Sequence, residues 1–440
     1  MNPLLIFAIG FILLAADSKA APDMNHPASL TQSLMPSNTL SEGKSDVRPA
    51  AKPKGSYDEA KANPYPLPDP LVLKNGQPVT NAEAWWHQRR PEILEDFRDE
   101  MYGRIPENTP KVTWEVTDTD TNAADGTAIK KTVIGHIDNS RYPTAKPSIH
   151  LTLFTPANAK GPVPMMVVVI AGPGGYGAPR TNTPAPPSAP PPGSPLDQLL
   201  AIGWGYATME VGPIQNDYSG GLTSGIIGLM TSGKPRKPDD WGALSAWAWG
   251  LSRAMDYFET DKSVNARKMG IEGHSRYGKA ALLAAALDPR WAIIFASCSG
   301  EGGAKPSRRY WGQTLDNVAG SHWFAPNFRK YSSHWNELPV DSDELIALVA
   351  PRPIFLNGGT DDQWADPHGA FLAAVAAGPV YRLLGKKDLG ATEMPAPDHA
   401  LTSGEIAFRY HAGGHSDAPD WPAFLEFAQR YLKPSKDFKN

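Results

Sequence analysis

Ser275, with Gly273 before it and Gly278 after it, carries the residue types of a nucleophile raised on a tight strand-to-helix turn: Gly273-His274-Ser275-Arg276-Tyr277-Gly278-Lys279. Side chains at 273 and 278 would crowd such a turn, which is why glycine suits both places. The second glycine stands three residues after the serine, where the common elbow has it two after. The plain alternative is an ordinary glycine-flanked turn. A serine hydroxyl is a weak nucleophile and needs a base beside it, oriented in turn by an acid. On such elbows the order along the chain is serine, acid, histidine. The loop Gly358-Gly359-Thr360-Asp361-Asp362-Gln363-Trp364-Ala365-Asp366-Pro367 offers Asp361, Asp362 and Asp366 as acids. Asp also makes turns and helix caps, and at least one of the three is expected to do so. Near the end, Tyr410-His411-Ala412-Gly413-Gly414-His415 supplies the base. The paired glycines would let His415 turn toward the serine, and His411 competes with it. Arg276 adjoins the serine and Lys279 lies four residues beyond it, on the same face of a helix. Two cations there suit a substrate carrying a carboxylate or its ester, and an oxyanion that needs stabilising. Pairing with structural carboxylates is the alternative for both.

These groups need a scaffold, and the chain provides one by alternation. Residues 268–272 can enter a sheet ahead of the serine, and Ala280-Ala281-Leu282-Leu283-Ala284-Ala285-Ala286-Leu287 forms helix after it. Residues 165–170, Met-Met-Val-Val-Val-Ile, read as a strand buried on both faces. Further strands are expected at 206–211, 291–296, 353–357 and 408–411, and helices at 241–258, 369–377 and 421–431. Ahead of them, 111–117, 129–137 and 148–155 read as an antiparallel opening. A helix at 81–101 would take Thr80 or Asn81 as its cap and turn Trp85, Ile93, Leu94 and Phe97 to one side. The pattern implies an α/β-hydrolase fold, a mostly parallel sheet with helices on both faces, in one domain over 57–440. No internal repeat is found.

Residues 1–20 read as a secretory signal, with an apolar core too short to span a bilayer comfortably and Ser18-Lys19-Ala20 before the cut. Residues 21–56 read as a disordered leader rich in Pro and Ser, and 178–195 as a proline-rich surface loop. Export to the periplasm or outside is expected, with no membrane contact after cleavage. Cys298 is the single cysteine, so no intramolecular disulfide can form. A net charge of −4 without basic runs argues against nucleic acid. Most of the thirteen tryptophans are expected in the core. His411 and His415 straddle a glycine turn, so no metal site is expected. No cofactor is expected either, and the protein is expected to be a monomer.

The chain resembles the glucuronoyl esterases of carbohydrate esterase family 15. Their Gly-x-Ser-Arg-x-Gly-Lys signature is matched by Gly273, Ser275, Arg276, Gly278 and Lys279, which accounts for the glycine spacing. Matching stretches include Arg89-Arg90-Pro91-Glu92-Ile93, Tyr102-Gly103-Arg104, Trp249-Gly250, Ser299-Gly300-Glu301-Gly302-Gly303, Leu338-Pro339-Val340-Asp341, Trp364-Ala365-Asp366-Pro367 and Gly414-His415. The resemblance covers residues 57–431. It implies cleavage of esters between (4-O-methyl-)glucuronate on glucuronoxylan and lignin alcohols, or of a related uronic acid ester. It implies Ser275 as nucleophile, His415 as base, Arg276 at the oxyanion, and Lys279, Gln313 and Trp364 against the sugar. Many members carry a triad glutamate where this chain has Cys298, so the acid must come from elsewhere. Asp362 leads, followed by Asp361 and Glu301. Ser321 stands where fungal members carry a sugar-contacting glutamate, which leaves the sugar preference open. The rival readings are an acetyl-xylan or general carboxylesterase on the same fold, and a non-catalytic sugar-binding protein.

Overall fold

Eight residues from Val163 to Ile170 make the strand on which the rest of the sheet is assembled, and their side chains divide between two cores. Met165, Val167 and Val169 pack into one cluster with Trp247, Leu251 and Ile271. Met166 packs into the other with Trp204, Phe295, Phe355 and Phe424. A strand with apolar neighbours above and below has no polar face to present, so its sequence is a continuous apolar run. The computed structural model describes residues 55–62, 66–172 and 193–433. The signal segment, the leader to residue 54, and the proline-rich loop over 178–192 with Gly174 and Gly175 lie outside the described residues.

Ten strands follow in chain order: β1 Val112–Ala123, β2 Ala128–Ile137, β3 Ser148–Pro156, β4 Val163–Ile170, β5 Gly205–Glu210, β6 Val264–His274, β7 Ile293–Ser297, β8 Ile354–Gly359, β9 Ala400–Leu401 and β10 Ile406–His411. They pair in the order β1-β2-β3-β5-β4-β6-β7-β8-β10-β9. β1 to β3 pair antiparallel, as does β3 with β5. From β5 through β10 every pairing is parallel, and β9 closes the far edge antiparallel. The crossing of β5 outside β4 gives the sheet order of an α/β-hydrolase, with helices on both faces.

Asn81 is the cap of the long N-terminal helix: its Oδ1 accepts the Ala84 amide at 2.9 Å. Helical structure then runs from Ala82 to Met101, widening into π turns over Trp85–Arg89 and Phe97–Met101. Trp85, Ile93 and Phe97 are buried there, and Leu94 is partly so. The helix expected to end near residue 377 runs from Pro367 to Leu383, carrying Pro379 inside it. Four short helices, Pro195–Ala201, Gly225–Thr231, Leu315–Val318 and Ser342–Ala347, fall outside the expected elements. Among the described residues no helix is long and apolar enough to cross a membrane.

Candidate active site

β6 ends at His274, and Ser275 turns the chain into the helix Arg276–Leu287 with φ +59° and ψ −126°. A non-glycine residue with positive φ is strained and persists only where its surroundings hold it. Here the Ser275 amide donates to the Ser297 carbonyl at 2.8 Å, tying the elbow to the end of β7. The flanking glycines are sterically required. A Cβ on Gly278 would stand 2.7 Å from the Ser297 carbonyl oxygen, and one on Gly273 would run into the Tyr277 carbonyl. The helix behind the serine is buried along Gly278–Ala286, so the turn sits on a rigid support.

The loop after β8 and the turn after β10 bring Asp362 and His415 together. Asp362 Oδ2 lies 2.6 Å from His415 Nδ1, with the carboxylate side chain 4% exposed and the imidazole 39%. The Asp361 amide donates to the Gly413 carbonyl at 2.8 Å and that of Thr360 to His411 at 2.9 Å, so the two segments are laced together by backbone. The other candidate acids lie elsewhere. Asp361 is exposed and accepts from the Thr360 hydroxyl at 3.3 Å. Asp366 caps the helix Pro367–Leu383 through the Gly369 amide and pairs with Arg309 Nε at 2.8 Å. Glu301 is fully buried, held by Lys305 Nζ at 2.9 Å and the Ser307 hydroxyl at 2.5 Å. His411 is fully buried as well, with Nε2 on the Gly414 carbonyl at 2.9 Å and Nδ1 2.8 Å from Asp420 Oδ2, off the line of an ideal hydrogen bond. His274 packs its ring 4.4 Å from that of His415 and bonds Ser297 Oγ at 3.0 Å. Burial, reinforced by His415, brings the His274 pKa down to about 4, so it is neutral at pH 7. No hydrogen bond from Ser275 Oγ is found among the described residues, a common state of such sites before substrate arrives.

The cations beside the serine are held by Asp217, which the sequence did not single out, and by Trp323 and Ser299. Arg276 donates to Asp217 Oδ2 at 2.9 Å while its guanidinium lies 5.2 Å over the Trp323 ring. Asp217 also takes His322 Nε2 at 2.8 Å and Trp323 Nε1 at 2.7 Å on its other oxygen. Burial alone would raise its carboxyl, yet the bonds from His322 and Trp323 and the Arg276 charge hold it below its usual range. Lys279 is buried, donates to the Ser299 carbonyl and stands 5.9 Å from the Trp323 ring. Burial, with Arg276 and Lys305 as like charges, lowers its pKa to about 7. Gln313 meets Lys279 at Gly300: a Cβ there would lie 3.4 Å from Gln313 Oε1 and 3.6 Å from Lys279 Nζ. The Gln313 amide donates to the Trp364 carbonyl at 2.9 Å, and the Trp364 ring is partly exposed at the rim. Gly312 makes that approach possible, with φ +52° and the Trp364 carbonyl oxygen 2.7 Å from where a Cβ would be.

Comparison with known proteins decides the family. The model of fungal glucuronyl esterases matches residues 236–385, which hold the elbow and the acid loop. Carbohydrate esterase MZ0003, from an unknown prokaryotic organism, is 36% identical over 415 residues, covering 87% of this chain and 93% of the relative. A family 15 glucuronoyl esterase from Teredinibacter turnerae superposes with a TM-score of 0.76 at 39% identity, over 83% of this chain and 89% of that one. The 4-O-methyl-glucuronoyl methylesterase of Schizophyllum commune is 28% identical over 371 residues, 82% of this chain and 79% of the relative. The chain belongs to carbohydrate esterase family 15. It is a glucuronoyl esterase, a carboxylic ester hydrolase on the α/β-hydrolase fold.

In this glucuronoyl esterase the residue in the place of the frequent glutamate, Cys298, is buried at φ +43°, its amide on Asn357 Oδ1 at 3.0 Å. Ser321 accepts the Trp323 amide at 3.3 Å, beside the Asp217 cluster. Asp217 itself sits in Gln215-Asn216-Asp217-Tyr218-Ser219-Gly220, a stretch that reads as a turn and gives no local sign of a clamp.

Proposed function

We propose that this esterase cleaves the bond between (4-O-methyl-)glucuronate on glucuronoxylan and lignin alcohols, with Ser275, His415 and Asp362 as its catalytic residues. Ser275 Oγ attacks the uronoyl carbonyl carbon as its proton passes to His415. Asp362 orients the imidazole and stabilises the imidazolium that forms. Charge developing on the carbonyl oxygen is met by the Arg276 guanidinium, held in place by Asp217. The tetrahedral adduct collapses, the alcohol leaves with the proton from His415, and Ser275 keeps the glucuronoyl group as an ester. Water then attacks that ester with His415 as base, glucuronate departs, and the proton returns to Ser275. Lys279, Gln313 and Trp364 hold the sugar, the first two through hydroxyls and the third by its ring face.

The observation that carries this reading is the 2.6 Å contact of His415 Nδ1 with the buried Asp362 carboxylate; no such contact to His415 is found for Asp361, Asp366 or Glu301 among the described residues. The leading segment supports export, and we assign the enzyme to the periplasm or the exterior, acting as a monomer. Hydrolysis of benzyl glucuronate and of p-nitrophenyl acetate by wild type and Ser275→Ala tests it. Turnover of the glucuronate ester that vanishes in the variant is expected. Turnover of acetate alone would leave a general esterase, and none of either would leave a sugar-binding protein.

A further inference from the structure

Three segments distant in sequence bring a thiol, a carboxylate and an imidazole to one point. One ligating atom each from Cys298, Asp362 and His415 lie within 4.8 Å of one another. Each donor is held by its own element. Cys298 is fixed at the end of β7 by its amide bond to Asn357, and its sulfur faces the Ser416 carbonyl at 3.6 Å. The Asp362 amide donates to the Gly359 carbonyl at 3.1 Å. Thiol and carboxylate are buried, while the imidazole is on the accessible side, which gives an ion a way in. Sulfur, imidazole nitrogen and carboxylate oxygen are the donor types zinc takes, and three protein donors with one open position is the arrangement of a site that exchanges its fourth ligand.

We propose that Cys298, Asp362 and His415 form a binding site for Zn2+ and similar soft divalent ions, and that its occupation turns the esterase off. The ion displaces the thiol proton, which passes to solvent, and forms a bond to sulfur. The imidazole's Nδ1 proton moves to Nε2, which frees the Nδ1 lone pair for the ion; the ion also takes one carboxylate oxygen, and no electrons change hands. An imidazole whose lone pair is committed to a metal has none with which to take the proton of Ser275. Asp362 is drawn from its hydrogen bond into the coordination shell by the same event. The binding claim stands on the three donors alone; the inhibition claim rests also on the proposed role of His415.

The test uses the full chain freed of metal with EDTA, in buffer without thiols, and compares wild type with Cys298→Ser, each against its own metal-free rate. Zn2+ is expected to inhibit benzyl glucuronate hydrolysis by wild type reversibly, with activity restored by EDTA. Half-inhibition of Cys298→Ser should need at least about tenfold more Zn2+, the usual cost of removing one element of a metal site. Co2+ titration gives a readout independent of turnover: a thiolate-to-cobalt charge-transfer band in the near ultraviolet, present in wild type and absent in the variant. Thermal unfolding with and without Zn2+ repeats the comparison for Cys298→Ala, should the serine variant fold poorly. Equal inhibition of wild type and variant, or no charge-transfer band, overturns the proposal. A band without inhibition keeps the site and overturns the role given to His415.

Discussion

His411 and His415 stand on either side of the Gly413-Gly414 turn, and each has a buried aspartate against Nδ1: Asp420 at 2.8 Å for the first, Asp362 at 2.6 Å for the second. The two pairs differ in their other nitrogen and in their exposure. His411 is fully buried and its Nε2 is spent on the Gly414 carbonyl. A carbonyl only accepts, so Nε2 carries a proton, and the carboxylate facing Nδ1 favours a proton there too. The pKa of His411 is raised, first by Asp420. Asp420 is held in turn by Arg409 at 2.6 Å and by the Asn357 amide. His415 is 39% exposed, and no partner for its Nε2 is found among the described residues. An imidazole can act as a base only if one nitrogen is left for the substrate side. The pair that resembles a catalytic dyad and lacks that nitrogen is a strut, and it braces the turn from which the proposed base projects.

That contrast breaks most sharply under matched substitutions. His415→Ala should lower kcat on benzyl glucuronate on the order of 10^4-fold while leaving the unfolding midpoint near wild type. His411→Ala should do the reverse in kind. It leaves Asp420 buried beside Arg409 with one partner gone, and should cost about 3 kcal/mol in urea unfolding, with a far smaller loss of kcat. A large kcat loss in a stable His411 variant would contradict the division.

The resemblance pointed to His415 as base and put Asp362 first among the acids, but nothing local decides either. His411 closes β10 and His415 follows the glycine turn, and nothing in the residues around them says which is buried. Asp361, Asp362 and Asp366 share a loop and a chemistry, and Asp362 is the one that meets His415. The elbow was legible because it needs glycine at two fixed positions between an apolar strand and an alanine-rich helix. β4 was legible because burial on both faces demands an unbroken apolar run, and β5, β6, β7, β8 and β10 were expected too, whereas the two-residue β9 at Ala400–Leu401 was not. The helix Ser342–Ala347 escapes the sequence because Ser342-Asp343-Glu344 looks like surface, whereas all three residues are buried behind a capping box at Asp341. The helix from Pro367 was cut short at Gly378-Pro379, which tertiary packing overrides.

Asp217 extends the comparison to the other flank of the serine, where it braces a cation as Asp420 braces His411. Asp217→Asn keeps the shape and removes the charge on which Arg276 is held. A fall in kcat/KM for benzyl glucuronate of about 10- to 100-fold is expected, the worth of one charge-assisted hydrogen bond. The fall should lie mainly in kcat, since the oxyanion exists only in the transition state. A change confined to KM would mean that Asp217 serves substrate binding alone.

The smallest effect is in pH. His411 has a pKa above its ordinary 6.5, so the folded state binds its proton more tightly than the unfolded chain does. The stability it adds is full below pH 6.5 and is lost as pH rises through the folded value. His274, brought down to about 4, has the opposite sign. Its burial destabilises the fold progressively as pH falls from 6.5 to about 4, because the unfolded chain takes up the proton first. Unfolding midpoints from pH 4 to 9 should therefore fall less steeply on the acid side in His274→Asn, and less steeply on the alkaline side in His411→Asn. Unchanged slopes in both would contradict the direction of both shifts.

The most direct measurement is kcat for benzyl glucuronate in Asp362→Asn beside Asp361→Asn. The two residues are neighbours in one loop, so loop damage should touch both alike, whereas only Asp362 reaches His415. Asp362→Asn is expected to lose roughly 10^3- to 10^4-fold, by leaving the imidazole in the wrong tautomer, and Asp361→Asn to stay within about threefold of wild type. Wild-type turnover in Asp362→Asn, or a collapse in Asp361→Asn, would contradict the triad.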